Sequence, residues 1–474
     1  MGRSARPRAP FRQTAILLLL LLLALGPRPL AGYVDLRAAE HALAEEQYAA
    51  AASRLASAAG RIPWRGALWG QAGQAALLAE NYADAVLWFG RGRVQDVLSR
   101  ADWLGYGDAL LALNDGPAAY RAWQEGLARF GPSNDLILRL ARFERAQGNY
   151  GPALDRLNPL MEDDLPDGAA VHLELGLLLA ATAPDQALPH LVQAGQLDPG
   201  LEPGMRDLRT ALNTALLSDD RSYQFLLAGR ALGSRGDWDL AALAFRNAIA
   251  ERSDYAEAWA WLGEAQQQLG EDASLAFQQA VALDQHSAMV MGLVGTWQLR
   301  QGNTDAALTA FYEAELHEPE QPVWQIALGG AWEQAGDLIR ARAHYQRAME
   351  LAPGDPAAWR ALAVFSLNYQ IEMVELGLVS ARRLLLLTPS DWSAYDLAGQ
   401  LMLETGDPVG AEIMLKQALE LDPSRAEVYL HLALVSLQGP QPESAYAYLV
   451  NARTFDPDGP AGWQAGRLLE QYFP

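Results

Sequence analysis

Residues 393–423 read S-A-Y-D-L-A-G-Q-L-M-L-E-T-G-D-P-V-G-A-E-I-M-L-K-Q-A-L-E-L-D-P, and this stretch decides the fold. Tyr395, Ala398, Gly399 and Met402 recur at helical spacing, so the first part predicts an amphipathic helix. Gly406 and Asp407 break it, with glycine suited to a left-handed helix end and Asp to the next N-cap. Ala411, Leu415, Ala418 and Leu419 form a second stripe, which Asp422 and Pro423 stop. Two short helices with narrow apolar faces cannot bury those faces alone. Such a hairpin must stack on copies of itself.

The copies are present. Trp69, Ala72, Gly73, Ala76, Asn81, Tyr82, Ala85 and Phe89 repeat the pattern near one end of the chain. Leu328, Gly329, Trp332, Gly336, Asp337, Ala341, Tyr345, Ala348 and Pro353 repeat it near the other. Pro319, Pro353, Pro389, Pro423 and Pro457 follow one another at steps of 34, 36, 34 and 34 residues. About twelve copies are legible. One is shortened in its turn (Trp259, Gly263, Gly270, Phe277), and one is lengthened by two residues (Trp359, Ala363, Gly377, Pro389). Small residues in the first helix and an early Ala in the second let the two helices approach closely. Aromatic residues fill the spaces between hairpins.

The expected organisation is an all-α solenoid. Residues 1–31 read as a targeting segment and 32–199 as a first block of about five hairpins. Residues 200–221 hold one stripe (Leu208, Ala211, Leu212, Ala215, Leu216) that reads as a connecting helix or decayed half-repeat. Residues 222–457 give a second block of about seven hairpins. Residues 458–474 give a capping helix carrying Trp463, Gly466, Leu468, Leu469 and Tyr472.

The signature W-x-x-L-G-x-x-W/Y, then G-D/N, then A-x-x-x-F/Y-x-x-A-x-x-x-x-P resembles the tetratricopeptide repeat. Trp259–Gly263, Leu328–Pro353 and Ala398–Pro423 carry it best. The resemblance implies a right-handed superhelix whose first helices line a concave groove that holds peptides or other proteins.

Composition narrows the function. The chain has 474 residues, half of them hydrophobic, with 36 basic against 57 acidic side chains. The first 31 residues hold five Arg and no acid, so the rest carries 31 against 57, or −26. Such a surface repels phosphate backbones, which argues against nucleic-acid partners. There is no cysteine, and hence no disulfide, thiolate nucleophile or Cys-ligated metal. Arg3, Arg6, Arg8 and Arg12 precede an apolar run from Ala15 to Leu25, then Gly26, Pro27 and Pro29. This is the layout of a secretory signal with cleavage near Ala31. The alternative is an uncleaved anchor tethering the chain to a membrane. Either one places the body outside the cytoplasm, in the periplasm or cell envelope.

Chemistry-bearing motifs are scarce. The single lysine, Lys416, is in no phosphate-binding loop, and neither H-E-x-x-H nor G-x-S-x-G occurs. The seven histidines are scattered through the repeats and read as solvated or packing side chains. Asp163, Asp167, Gly168 and Glu174 match four positions of a calcium loop, but Leu165 and Pro166 spoil it, leaving an acidic turn. No catalytic, cofactor or metal site is expected. Of the fourteen tryptophans, Trp69, Trp103, Trp123, Trp259, Trp332 and Trp359 hold packing positions. Trp261, Trp297 and Trp392 fall off that register and read as exposed anchors.

The candidate binding residues are the positions that the motif leaves free on the first helices. They are Gln74, Asp108, Arg142, Arg230, Glu264, Thr296, Arg300, Glu333, Arg360, Gln400 and Glu404. Mixed charges and amides at one level per repeat suit an extended polypeptide. Some relatives grip a terminal carboxylate with Asn and Lys in this groove, and neither occurs at these positions. The expected function is a non-enzymatic scaffold that binds protein or peptide partners and assembles a cell-envelope complex. The competing reading is an enzyme, or an accessory subunit of one, acting on envelope glycans or peptides.

Overall fold

The computed structural model describes residues 27–161, 168–439 and 442–473. Among these, twenty-six α-helices and no strand occur. The targeting segment up to Gly26, together with Asp163 and Asp167, lies outside the described residues. Among the described residues no helix is long and apolar enough to cross a membrane. The expected boundary at Ala31 falls inside the first described helix, Pro27–Ala44.

The helices pair as hairpins in two compact units, Met1–Glu251 and Arg252–Pro474. Unit 1 holds six hairpins and one single helix, and unit 2 holds the same. That is the all-α stack of helical hairpins the sequence predicts. The division at Glu251 comes one hairpin after the 200–221 segment.

One steric rule recurs through both units. A methyl group placed on Gly329 would lie 2.5 Å from the Tyr345 ring, sixteen residues on. Gly229 meets Phe245 and Gly295 meets Phe311 at the same spacing and distance. Gly73 meets Phe89 at 2.6 Å and Gly399 meets Leu415 at 2.7 Å, again sixteen residues apart. In the shortened copy, Gly263 meets Phe277 fourteen residues on. The missing two residues come out of the start of the second helix, which runs only from Ser274 to Leu283, and the crossing is kept. The absent Cβ is thus what lets a large second-helix side chain seat itself under the first helix.

The turns follow the expected chemistry. Gly148, Gly236, Gly270, Gly302, Gly336 and Gly406 all have φ between 74° and 88°. Early copies place Glu46, Glu80 and Asn114 in the same left-handed conformation, which costs a residue with a Cβ about 1–2 kcal/mol. The side chains of Asn81, Asp115, Asp337 and Asp407 then accept backbone N–H groups of the second helix, as N-caps. The lengthened copy absorbs its extra residues through left-handed Gln370 and Glu372 and a π-helical turn, Met373–Leu378.

Unit 1 departs from simple stacking around helix Gly168–Thr182. It touches Asn134–Ala146, Tyr150–Leu157, Pro184–Leu197, Arg221–Ser234 and Trp238–Glu251. Val171 and every residue from Glu174 to Ala181 are buried, so the helix is enclosed nearly all round. The stripe in 200–221 is a real helix, Glu202–Ala215. Met205, Leu208, Leu212 and Ala215 bury it against Pro184–Leu197 and Arg221–Ser234.

The last helix, Pro460–Tyr472, packs on the hairpin before it through Ala461, Gly462 and Ala465, with Leu468 and Leu469 against them. Trp463, expected on the packed face, is 67% exposed, and Tyr472 is exposed too. The small residues take the close face, which turns the bulky rings outward. The three tryptophans off the packing register are also packed rather than free. Trp297 stacks on Phe277 at 5.0 Å, and Trp392 lies beneath the Arg425 guanidinium. Trp261 is half-buried as well, so none of the three is an exposed anchor.

Candidate functional site

In unit 2 each first helix touches the next one along, and in unit 1 Leu68–Leu78 touches Arg100–Ala112, while Gly168–Thr182 touches Asn134–Ala146 and Arg221–Ser234, so these helices share a face. The candidate residues lie on them. Most are bonded to the neighbouring repeat. Gln74 donates to the Ala101 carbonyl at 2.9 Å and to Asp102. Asp108 accepts both prongs of Arg139, at 2.9 and 3.1 Å. Arg142 reaches Glu174 at 3.2 Å. Arg300 donates to both Glu264 oxygens, at 2.9 and 2.8 Å, and to Gln267. Arg360 holds Asp391 and the Ser393 hydroxyl.

The remaining candidates are placed differently. Gln400 donates to Asp396 one turn earlier, and Asp396 is bound in turn by His431 of the next hairpin at 2.7 Å. Glu333 accepts the Tyr345 hydroxyl at 2.6 Å. Burial and this carboxylate together push the Tyr345 phenol well above its ordinary range. Thr296 bonds back to the Gly292 carbonyl. Arg230 and Glu404 are exposed, on Arg221–Ser234 and Trp392–Glu404.

Six of these side chains, Gln74, Asp108, Arg142, Glu264, Arg300 and Arg360, are therefore polar rungs that tie one repeat to the next. Exposed rungs contribute about 0–1 kcal/mol apiece. The rungs on buried carboxylates, Glu174 and Glu264, differ, because a buried charge stripped of its partner costs several kcal/mol. Glu174, the last position of the calcium-loop reading, is held by Arg142 and Arg145 and is only 3% exposed. It is a structural counter-ion.

The strongest polar cluster escaped the sequence reading. Arg145 meets Asp239 at 2.8 and 2.9 Å, Asp237 at 2.8 Å and Glu174 at 3.1 Å. Asp237 stands where other copies place their N-cap, and here it binds Arg145 and Arg235. Burial opposes the Arg145 charge, but the carboxylates outweigh it and raise the guanidinium pKa. Burial likewise opposes ionisation of Asp239, and the Arg145 hydrogen bonds overcome it, holding its carboxyl below the usual range. Asp237 and Asp239 lie more than ninety residues from Arg145 in sequence, and no local signal joins them.

Residues 226–288 and 298–365 match two family models, both described as tetratricopeptide repeat. Both segments are tetratricopeptide repeats. The matched segments lie in the best-written part of the array and span the end of unit 1 and the start of unit 2. A curated human relative, protein O-mannosyl-transferase TMTC3, is 25% identical over 183 residues, 36% of this chain. The match spans 20% of that relative's length.

Among solved structures, yeast Tom70 is similar with a TM-score of 0.45 and 13% identity, over 93% of this chain and 95% of the other. The Cut9–Hcn1 assembly of APC/C gives 0.44 and 16%, over 92% and 95%. PilF of Pseudomonas aeruginosa gives 0.37 and 20%, over 44% and 96%.

Proposed function

We propose that this repeat protein is a non-catalytic scaffold that binds an extended polypeptide along the face made by its first helices. One observation carries the reading. Successive first helices lie side by side, and their polar side chains present donors and acceptors at one level per repeat. An extended chain offers backbone and side-chain groups at regular spacing and can match such a ladder rung by rung. The rungs are already oriented by their neighbours, so binding costs little side-chain ordering.

The proposed setting is the cell envelope, outside the cytoplasm, with the chain exported or tethered through its N-terminal segment. Arg3, Arg6, Arg8 and Arg12 before the apolar run Ala15–Leu25, and the absence of cysteine, support it. N-terminal sequencing from the native host separates export from tethering, because recovery of Met1–Leu30 excludes cleavage. The similarity to a transferase covers a fifth of that enzyme, and a role beside a glycan-modifying enzyme is the second reading.

The test of binding is selection of random peptides on the immobilised full chain, followed by affinity measurements. Selected peptides are expected to bind at least about 10-fold, or about 1.4 kcal/mol, more weakly to Glu404→Arg and Thr296→Arg. Unchanged affinity in both variants would remove the first-helix face as the binding surface.

A further inference from the structure

Three ligand-type side chains converge at one end of a hairpin in unit 2. Glu313 and His317 stand one turn apart on helix Thr304–His317. His286 comes from the turn before Ala288–Arg300, the first helix of the same hairpin. Glu313 Oε1 lies 3.1 Å from His317 Nε2 and 3.4 Å from His286 Nδ1, and the two ring nitrogens are 3.2 Å apart. Among the described residues no other group of three His, Asp or Glu side chains gathers its ligand atoms so closely.

Those spacings have a physical meaning. Zinc–nitrogen bonds of about 2.0–2.1 Å at tetrahedral angles put ligand atoms about 3.3–3.4 Å from each other. The three observed separations cluster around that value. The triangle is also held from behind. Asp284 Oδ1 accepts the backbone N–H of His286 at 2.9 Å and of Ser287 at 3.1 Å, and Ser287 caps Val290. His286 is thereby fixed in a turn, and the other two ligands sit on a rigid helix.

The outer nitrogen of His286 faces the Gln285 amide at 3.3 Å. The facing atom is the amide nitrogen, and flipping the amide, which exchanges its nitrogen and oxygen, lets Gln285 accept the Nε2 proton and leaves Nδ1 free to ligate.

We propose that His286, Glu313 and His317 form a binding site for a divalent transition metal of the zinc class. Two imidazoles and one carboxylate suit zinc, nickel or copper, whereas calcium and magnesium prefer all-oxygen shells. The cluster is solvent-facing, with His286 63% exposed, so three protein ligands leave a coordination position open to water or to a partner's side chain. The metal would clip the turn before the first helix to the end of the second, closing the hairpin at its base.

The test uses the full chain stripped of metal by chelator and dialysis, then titrated with Zn2+ by calorimetry and with Co2+ by visible absorption. The expected result is one equivalent bound at micromolar or lower concentration, with the intense d–d bands of four-coordinate Co2+. His286→Gln, Glu313→Gln and His317→Gln should each weaken binding by more than the roughly 10-fold that loss of an outer-shell partner costs. His41→Gln, an exposed histidine of unit 1, should leave it unchanged. All the substituted side chains reach solvent, and unchanged circular dichroism confirms that the variants fold. Weak binding that survives the His286→Gln/His317→Gln double substitution, or Co2+ spectra of six-coordinate type only, would overturn the assignment.

Discussion

At Arg145 one guanidinium meets Glu174, Asp237 and Asp239 at once, with its side chain only 15% exposed. Replacing it by Met keeps most of the volume, strips Asp239 of its two-pronged Arg145 partner, and leaves Glu174 to Arg142 and Asp237 to Arg235. Removing one partner of a buried ion pair costs about 3–5 kcal/mol, and Arg145→Met is expected to destabilise unit 1 by that order. Denaturant unfolding of the full chain checks it, and a loss under 1 kcal/mol would show that the cluster is solvated. The same residues set an acid limit. Asp239 is held below its ordinary 3.8 because the Arg145 bonds overcome its burial. Glu144 is held below 4.5 because Arg156 and Tyr120 overcome its own. Folded-state values below the unfolded ones stabilise the fold above about pH 4–5, and that gain disappears as pH falls through the folded values. Unit 1 should therefore melt at lower temperature on acidification below pH 4. Arg145→Met should flatten that acid limb.

At the scale of the helix, the sixteen-residue pairing of Gly with a large side chain makes two sharp expectations. Gly329→Ala puts a methyl 2.5 Å from Tyr345, and overpacking of this kind costs about 1–3 kcal/mol. Gly330→Ala, next along the helix, comes no closer than 3.7 Å to any neighbour, the Tyr345 hydroxyl, and should be near neutral or stabilising. Equal thermal shifts for the two would contradict the crossing rule. The helix Glu202–Ala215 gives the other. Leu208 is fully buried between Pro184–Leu197 and Arg221–Ser234. Leu208→Ala is expected to cost about 2–5 kcal/mol, as in any packed core. A cost near zero would mean that the segment is an appendage.

Across the whole molecule, what was legible is what recurs. Gly399 and Leu415, Gly406 and Asp407, and the proline series are repeated because each copy must solve the same packing and turn problem. That made the hairpin stack readable. The face opposite that packing has no such constraint, and its register was readable without its bonding. Gln74, Asp108, Arg142, Glu264, Arg300 and Arg360 lie on the first helices as expected, but their partners in the next repeat depend on the stagger of neighbouring helices. Arg145 and the His286, Glu313 and His317 triangle were missed for the same reason. Spacings of about 90 and 31 residues carry no local periodicity. Trp463 was misplaced because the small residues Ala461 and Ala465, not the ring, decide which face of the last helix packs.

The first-helix face is proposed to bind extended polypeptide. Site-specific photo-cross-linking tests it most directly. A photoreactive side chain is placed at Thr296 or Glu404 on that face, and at Ile339 or Val409 among the exposed positions of second helices. Selected peptides should cross-link to Thr296 and Glu404 and be displaced by unlabelled peptide. Cross-links confined to Ile339 and Val409 would contradict the account.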